Sequence, residues 1–511
     1  MRLADLMQRA GFAPDGASDV SVTGFAIDHR KVAPGTVFGA FQGAAVNGED
    51  FIAAAIEAGA VAIVARPEAP VAGALHIADA QPRRAFAQLA AGFFAPVPAT
   101  IVAVTGTNGK TSCVEMTRQI WRMAGERAAS IGTLGVTTPD GSVSTGLTTP
   151  DIVTFLSNMS GLAREGVTHV AFEASSHGLS QYRNEGLSVA ATAFTNFSRD
   201  HLDYHGTMEA YFGAKMRLFT EVAAPGSPAV IHDAGDGSEW TAQAIATAAA
   251  RGLDVRTVGE GGTFIRLEER EPTQLGQMLT IQYAGQHAGQ NAGQNAGQHA
   301  GETRKVSLPL IGAYQAANAL VSAGLALSTG LEVSTVFDAL TRLQPVRGRL
   351  ERAALNPAGA PVYVDYAHTP DALEAAIAAL CPHVASGGRL IVVFGAGGDR
   401  DTGKRALMGE VAARMSDLAI ITDDNPRSED PAAIRAAIMA GAGGSAREIG
   451  DRRAAIAAAI GEAGPSDIVL IAGKGHEQGQ IFGSGETMRI EAFDDVEVAR
   501  QCAAFGGSAP R

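Results

Sequence analysis

Residues 101–104, Ile-Val-Ala-Val, form a short unbroken apolar run with β-branched members, the pattern of a buried strand. A Gly-rich turn follows. Then Cys113, Met116, Ile120 and Ala124 recur at helical intervals and end at Gly125, which predicts an amphipathic helix with a glycine at its C-terminus. Further apolar runs at 169–174, 191–197 and 229–232 read as strands, with helical stretches between some of them. Such alternation predicts a mostly parallel, doubly wound sheet. The rhythm resumes near Gln344, with strand-like runs at 362–366, 390–394, 418–422 and 468–472 and a helical pattern at 371–380. This predicts a second, Rossmann-like α/β domain. Upstream, an apolar run at 36–41 and a helix-like stretch from Phe51 precede Ala95-Pro96-Val97-Pro98, which reads as a linker. The expected class is therefore α/β in three domains: 1–98, 99–343 and 344–511.

One tract breaks the pattern. Between strand-like runs at 279–283 and 305–310, residues 284–301 repeat Ala-Gly-Gln followed by His or Asn. An expanded hairpin loop is expected there, because His287 and His299 have no packed cage in which to hold a metal.

A length of 511 residues exceeds what one core serves and suggests two to four domains. The hydrophobic share, 46%, is ample for burial, and the scarcity of aromatics, 6%, suits helices packed closely on sheets. A formal net charge of −13 lacks the basic footprint of a nucleic-acid binder. Cys113, Cys381 and Cys502 form no CxxC pair and read as thiols of a reducing compartment. Charged residues interrupt the first sixteen positions, so no signal peptide is expected there. The most apolar stretch, 51–65, is broken by Glu57 and too short to span a bilayer. A cytoplasmic, soluble protein is expected.

The turn after the first strand is Thr105-Gly106-Thr107-Asn108-Gly109-Lys110-Thr111-Ser112. A strand, a Gly-rich turn ending in Gly-Lys-Thr and a helix together make a phosphate site. Backbone N–H groups and the helix N-terminus face the anion, Lys110 adds a point charge, and Thr111 can reach Mg²⁺. Val104 stands where the standard spacing has another Gly, so the loop is a shortened variant. Two further polar clusters follow predicted strands, where open α/β sheets place ligands. They are Phe172-Glu173-Ala174-Ser175-Ser176-His177-Gly178 and Asn196-Phe197-Ser198-Arg199-Asp200-His201-Leu202-Asp203. Glu173 and His201 are chemically suited to Mg²⁺, although each alone also reads as a capping or satisfied polar residue.

With these motifs the chain resembles the Mur ligases, the amide-forming enzymes that build the peptide of bacterial cell-wall precursors. Besides the phosphate loop and the two clusters, the resemblance rests on Tyr211-Phe212-Gly213-Ala214-Lys215, Leu343-Gln344-Pro345-Val346-Arg347-Gly348-Arg349-Leu350-Glu351 and Val364-Asp365-Tyr366-Ala367-His368-Thr369-Pro370, and it covers essentially the whole chain. It implies a small UDP-holding domain, a central ATPase and a C-terminal amino-acid domain. It also implies ATP and Mg²⁺, an acyl-phosphate intermediate and a monomer. Gly106 to Ser112 and Asn318 would serve ATP, and Lys110, Arg349 and Asp365 the phosphoryl transfer. Thr111, Glu173 and His201 would hold metal together with Lys215, carbamylated to N6-carboxylysine. Otherwise Lys215 is an ordinary surface lysine.

Within the family the motifs are nearest to the branch that adds the third peptide residue. The resemblance implies that Thr148, Thr149, Ser175, Gln181 and Arg183 contact the UDP-N-acetylmuramoyl dipeptide. His29 replaces a common Ser at a uridine contact, and Ala44-Ala45 a polar pair of some relatives. Asp424, Asn425, Pro426 and Arg427, with Arg400, Gly473 and Glu477, would bind meso-diaminopimelate. Its second carboxylate suits an Arg fork, which lysine would not need; a plain turn residue is the other reading of Arg427. The rivals are a lysine-adding ligase, a folylpolyglutamate synthase and, from another class, a P-loop regulatory NTPase.

Overall fold

The protein is described from a computed structural model covering residues 1–14, 20–43, 46–143, 148–273, 275–285 and 302–504. The Ala44-Ala45 pair and the repeat tract beyond Gly285 lie outside the described residues. The chain forms two compact units. One comprises Met1–Arg266, Tyr283–Glu302 and Leu320–Val336; the other comprises Leu267–Gln282, Thr303–Ala319 and Phe337–Arg511.

The first unit opens with a four-stranded parallel sheet, β1 (Gly24–Ala26), β2 (Thr36–Gly39), β3 (Ala60–Ala65) and β4 (Leu75–Ala78), in that order. The helix expected from Phe51 is present as Ile52–Glu57, and the chain then turns into strand β3. Gly59 makes the break: its φ is +103°, and a Cβ there would sit 2.7 Å from Pro34 Cα. Phe86, on the helix Pro82–Phe93, packs edge-on against Phe25 and Phe41 with ring centroids 5.3 and 5.5 Å apart. The same apolar core continues into Phe155 and Phe172, so the small sheet and the larger one behind it share one interior.

That larger sheet carries β5 (Thr100–Thr105), β6 (Ala128–Gly132), β7 (Gly135–Thr137), β8 (Ser142–Val143), β9 (His169–Glu173), β10 (Ala191–Phe194), β11 (Pro228–His232) and β12 (Asp254–Gly259). Its order is β12-β11-β10-β5-β9-β6-β7-β8, parallel as far as β6 and antiparallel beyond. From β5 the chain builds β6 and then β9 on one side before crossing to β10 on the other, which makes the C-terminal end of β5 a topological switch point. The helix Lys110–Met123 starts there and buries Trp121, whose Nε1 donates to Thr329 Oγ1 at 3.0 Å.

Most of β13 (Ile265–Thr273), β14 (Gly276–Tyr283) and β15 (Glu302–Leu308) belongs to the second unit. Its main sheet contains β16 (Glu351–Leu355), β17 (Pro361–Asp365), β18 (Leu390–Phe394), β19 (Leu418–Ile421), β20 (Arg447–Glu448) and β21 (Ile468–Ala472), and a separate hairpin pairs β22 (Gly479–Phe482) with β23 (Arg489–Ala492). The order is β16-β17-β21-β18-β19-β20, with only β16 antiparallel. Helices cover both faces: Leu373, Ile377, Met408 and Ile438 pack on one, Ile456, Ile460, Val496 and Cys502 on the other. Burial from both sides is why these strands read as unbroken apolar runs. Among the described residues no helix is long and apolar enough to cross a membrane.

Candidate active site

The phosphate loop leaves β5 through Gly106 and Gly109, both at positive φ, +142° and +84°. It does not hold its shape alone. Thr107 N donates to Asn196 O at 2.9 Å and Asn108 N to Asn196 Oδ1 at 2.9 Å, while Thr195 Oγ1 donates to Asn108 O at 2.6 Å. Thr107 Oγ1 also lies 3.3 Å from the Tyr211 hydroxyl. Lys110 Nζ curls back onto the carbonyls of Gly106 and Thr107, at 2.9 and 2.8 Å. The segment after β10 thus latches the loop, and the helix N-terminus behind Gly109 gives it an anion-seeking end.

Lys215 is no surface lysine. It is 1% exposed, donates to Gly106 O at 2.6 Å and lies 4.4 Å from the centre of the Tyr211 ring. Burial, reinforced by the Lys110 charge and opposed by Asp200, drives its amine well below the ordinary lysine range. Glu173, at the end of β9, is 2% exposed and accepts from Thr133 N at 2.7 Å and from Thr133 Oγ1 at 3.3 Å. With Thr111, Glu115 and Ser130 it lines a small cleft beside the loop. His201 sits at φ +50° with its Nε2 3.4 Å from Asp200, and its ring meets that of His177 edge-on at 4.9 Å.

The residues expected to hold the muramoyl peptide come together in one hydrogen-bonded chain. Thr148 Oγ1 lies 3.1 Å from Thr133 Oγ1, which leads to Glu173. Thr149 Oγ1 contacts Ser175 Oγ and the Glu173 carbonyl, both at 2.9 Å. Arg183 donates to Thr149 O and to Gln181 Oε1, each at 2.7 Å, and Gln181 Nε2 donates to the Tyr204 hydroxyl at 3.0 Å. His29 stands apart, on a 3₁₀ turn, with its ring stacked on Phe51 at 4.4 Å.

In the second unit, Asn318 Nδ2 donates to Gln315 Oε1 at 3.2 Å, and Gln315 Nε2 donates to Arg349 O at 2.9 Å. The Arg349 guanidinium lies 5.2 Å from the centre of the Tyr366 ring. Asp365 accepts from Leu350 N and Ala367 N at 2.7 and 2.9 Å, yet burial, outweighing Arg349 and these amides, lifts its carboxyl above the usual range. Beyond β19 and β21 the motif residues Asn425 and Glu477 are joined by Lys474, which belongs to none of the motifs. Lys474, wholly buried, donates to Asn425 Oδ1 at 2.9 Å and to Glu477 Oε2 at 3.3 Å; Asn425 Nδ2 donates to the same Glu477 oxygen at 2.8 Å. Arg427, at φ +52°, exchanges backbone hydrogen bonds with Ile481 and Gly483 and donates from Nη1 to Gly398 O at 2.8 Å. Gly473 is at φ +115°, where side chains are strained, and a Cβ would push on Asp424 Oδ2 from 2.5 Å. Pro426 O accepts from Glu429 N at 3.1 Å, and Arg400 is exposed.

His476, between Lys474 and Glu477, is pushed down to about 4 by burial, then by Arg349, Arg347 and His368. Unfolded, its ring titrates near 6.5. The folded state therefore binds fewer protons between these values, and stability falls as pH drops through that window. His476→Asn should lose less melting temperature than the parent between about pH 7 and about pH 5, measured by thermal denaturation.

Residues 21–94, 104–326 and 348–475 match three family models, described as Mur ligase family, catalytic domain; Mur ligase middle domain; and Mur ligase, glutamate ligase domain. A protein of Zymomonas mobilis subsp. mobilis is 57% identical over 98% of both chains. The chain belongs to the Mur ligase family. That relative and one from Bradyrhizobium diazoefficiens, 52% identical over 97% of this chain and 98% of its own, are both UDP-N-acetylmuramoyl-L-alanyl-D-glutamate–2,6-diaminopimelate ligases. A solved structure of a ligase of that name superposes with a TM-score of 0.73 at 30% identity over the whole of both chains. The three Mur ligase matches fall in turn on the four-stranded sheet, the sheet built around β5 and the sheet of the second unit. Mur ligases form amide bonds with ATP, which sets aside the regulatory NTPase.

Proposed function

We propose that this Mur ligase joins meso-2,6-diaminopimelate to UDP-N-acetylmuramoyl-L-alanyl-D-glutamate, using ATP, in peptidoglycan precursor synthesis in the cytoplasm. Near-full-length identity to relatives so named carries the reading. The D-glutamate γ-carboxylate attacks the γ-phosphate of ATP, giving an acyl phosphate and ADP; the amine of the incoming amino acid then attacks the acyl carbon and phosphate leaves. The loop from Gly106 to Ser112 orients the nucleotide, with Lys110 turning from its own carbonyls to the phosphates. Arg349 and Asp365 contribute to the same transfer, and Asn318 to nucleotide binding. Thr148, Thr149, Ser175, Gln181 and Arg183 orient the dipeptide, with His29 toward the uridine end.

The oxygen donors Thr111 and Glu173, which line one cleft, suit Mg²⁺, and His201 is the further ligand that the motif implies. Bound Mg²⁺ would neutralise the negative charge that spreads over the transferred phosphoryl group. Lys215 as an ammonium does not fit a cation site, but its surroundings favour the neutral amine. That amine attacks CO₂: an N–C bond forms, a proton leaves to solvent, and the lysine ends as a carboxylate-bearing ligand.

Arg427 pairs with the distal carboxylate of diaminopimelate and Glu477 with its ammonium, while Asp424, Asn425, Pro426, Gly473 and Arg400 shape the pocket. Phosphate release should require both the muramoyl dipeptide and diaminopimelate, and lysine should support far less. Arg427→Ala should raise KM for diaminopimelate about ten- to a hundredfold, the value of a charged hydrogen bond. A clear preference of the parent for lysine would overturn this specificity.

A further inference from the structure

Arg452 and Asp495 form, among the described residues of the second unit, an ion pair with both side chains fully out of solvent. Nε and Nη2 of Arg452 donate to the two carboxylate oxygens at 2.8 and 2.7 Å, a bidentate fork. Two further donors point away from Asp495. Nη2 reaches Ala472 O at 3.0 Å and Nη1 reaches Asp423 O at 3.3 Å. These carbonyls belong to the residues immediately before Gly473 and Asp424. One guanidinium therefore ties the C-terminal exits of β19 and β21, which lie on either side of β18. Above it, Lys474, Asn425 and Glu477 tie the same two loops a second time. Asp495 opens the helix Asp495–Ala504, whose N-terminal partial charge favours the carboxylate.

A buried ion pair is weak evidence for stability, since an apolar pair of similar volume often serves as well or better. The two extra bonds to loop carbonyls are what an apolar pair would not reproduce. We propose that Arg452, oriented by Asp495, is a positioning residue for the amino-acid acceptor: it fixes the spacing of the Asp424–Arg427 and Gly473–Glu477 loops and so sets acceptor affinity and selectivity. This rests on the reading that these loops take the acceptor.

Three variants test it: Asp495→Asn, Arg452→Lys and the double variant Arg452→Met/Asp495→Leu, each followed by melting and by phosphate release. KM for diaminopimelate should rise about ten- to a hundredfold, as expected for loops misplaced by an ångström, with KM for ATP and the muramoyl dipeptide within about twofold. The double variant decides. Positioning predicts that it regains melting temperature over the single variants while KM for diaminopimelate stays high. Recovery of KM together with stability, an equal rise in all three KM values, or collapse of every variant without a separate KM effect would each show a merely structural pair and overturn the proposal. If the parent releases no phosphate with diaminopimelate, the functional reading fails by itself, and the clamp is then scored on whichever amino acid supports release.

Discussion

Lys215→Ala should lose activity by on the order of a hundredfold or more, a loss comparable to removing a preorganised charge from a transition state. Short carboxylates added to the assay should restore part of it. The expectation rests on a lysine that is 1% exposed and hydrogen-bonded to Gly106 O, a carbonyl that Lys110 also takes. Two cations crowd one acceptor, and burial penalises the inner one, so Lys215 favours its neutral, nucleophilic form. Carbamylation would turn that conflict into an attraction, by putting a negative charge where the Lys110 charge now repels the amine. Acid protonates the amine and releases CO₂, so activity in CO₂-depleted buffer should fall further as pH is lowered and return on adding bicarbonate. Full activity of the alanine variant, or no response to carboxylates, would remove Lys215 from the mechanism.

Gly106→Ala is expected to be nearly as damaging, by a different route. At φ +142° the residue occupies a region that side chains avoid, and a Cβ would overlap Thr195 Oγ1, the hydroxyl that donates to Asn108 O. The latch and the new methyl group cannot both be accommodated. Nucleotide affinity should drop at least about tenfold, the value of one or two net hydrogen bonds, alongside some loss of melting temperature from the backbone strain. Removing the clashing hydroxyl in Gly106→Ala/Thr195→Ala should recover only part of it, because the backbone strain and a 3.1 Å approach to Asn196 O remain. Isothermal titration with ADP measures both. Unchanged affinity in the single variant would mean that the loop tolerates a shift the latch does not allow.

Much of this was readable in the residues, and the limits have physical causes. Strands buried on both faces, such as β18 and β21, announce themselves as unbroken apolar runs. Strand β6, Ala-Ala-Ser-Ile-Gly, does not, because small residues have little strand preference and gain their place from the neighbours that cover them. The helix-like stretch from Phe51 carries little mark of its end except Gly59, which turns the chain between helix and strand. Thr149, Ser175 and Arg183 stand out as motif positions, but the bonds between them join segments far apart in the chain and are written in no motif. Lys474 carries no signal of its own between the motif positions Gly473 and Glu477, because burial of a lysine is invisible in sequence. Arg452 was hidden more thoroughly: Asp-Arg-Arg at a helix start resembles an ordinary solvated face.

The latch on the phosphate loop also bears on how the protein reaches its native state. Asn108 is closed by Thr195 and Asn196, nearly ninety positions later in the chain, so the loop's shape is a late product of folding, completed only when β10 has docked beside β5. Contacts between such distant segments are slow to form because the intervening chain must first be ordered. A nascent chain that has made β5 and its helix would carry the full motif and still bind nucleotide poorly, and nucleotide would act on folding by holding the docked strand rather than by nucleating the loop.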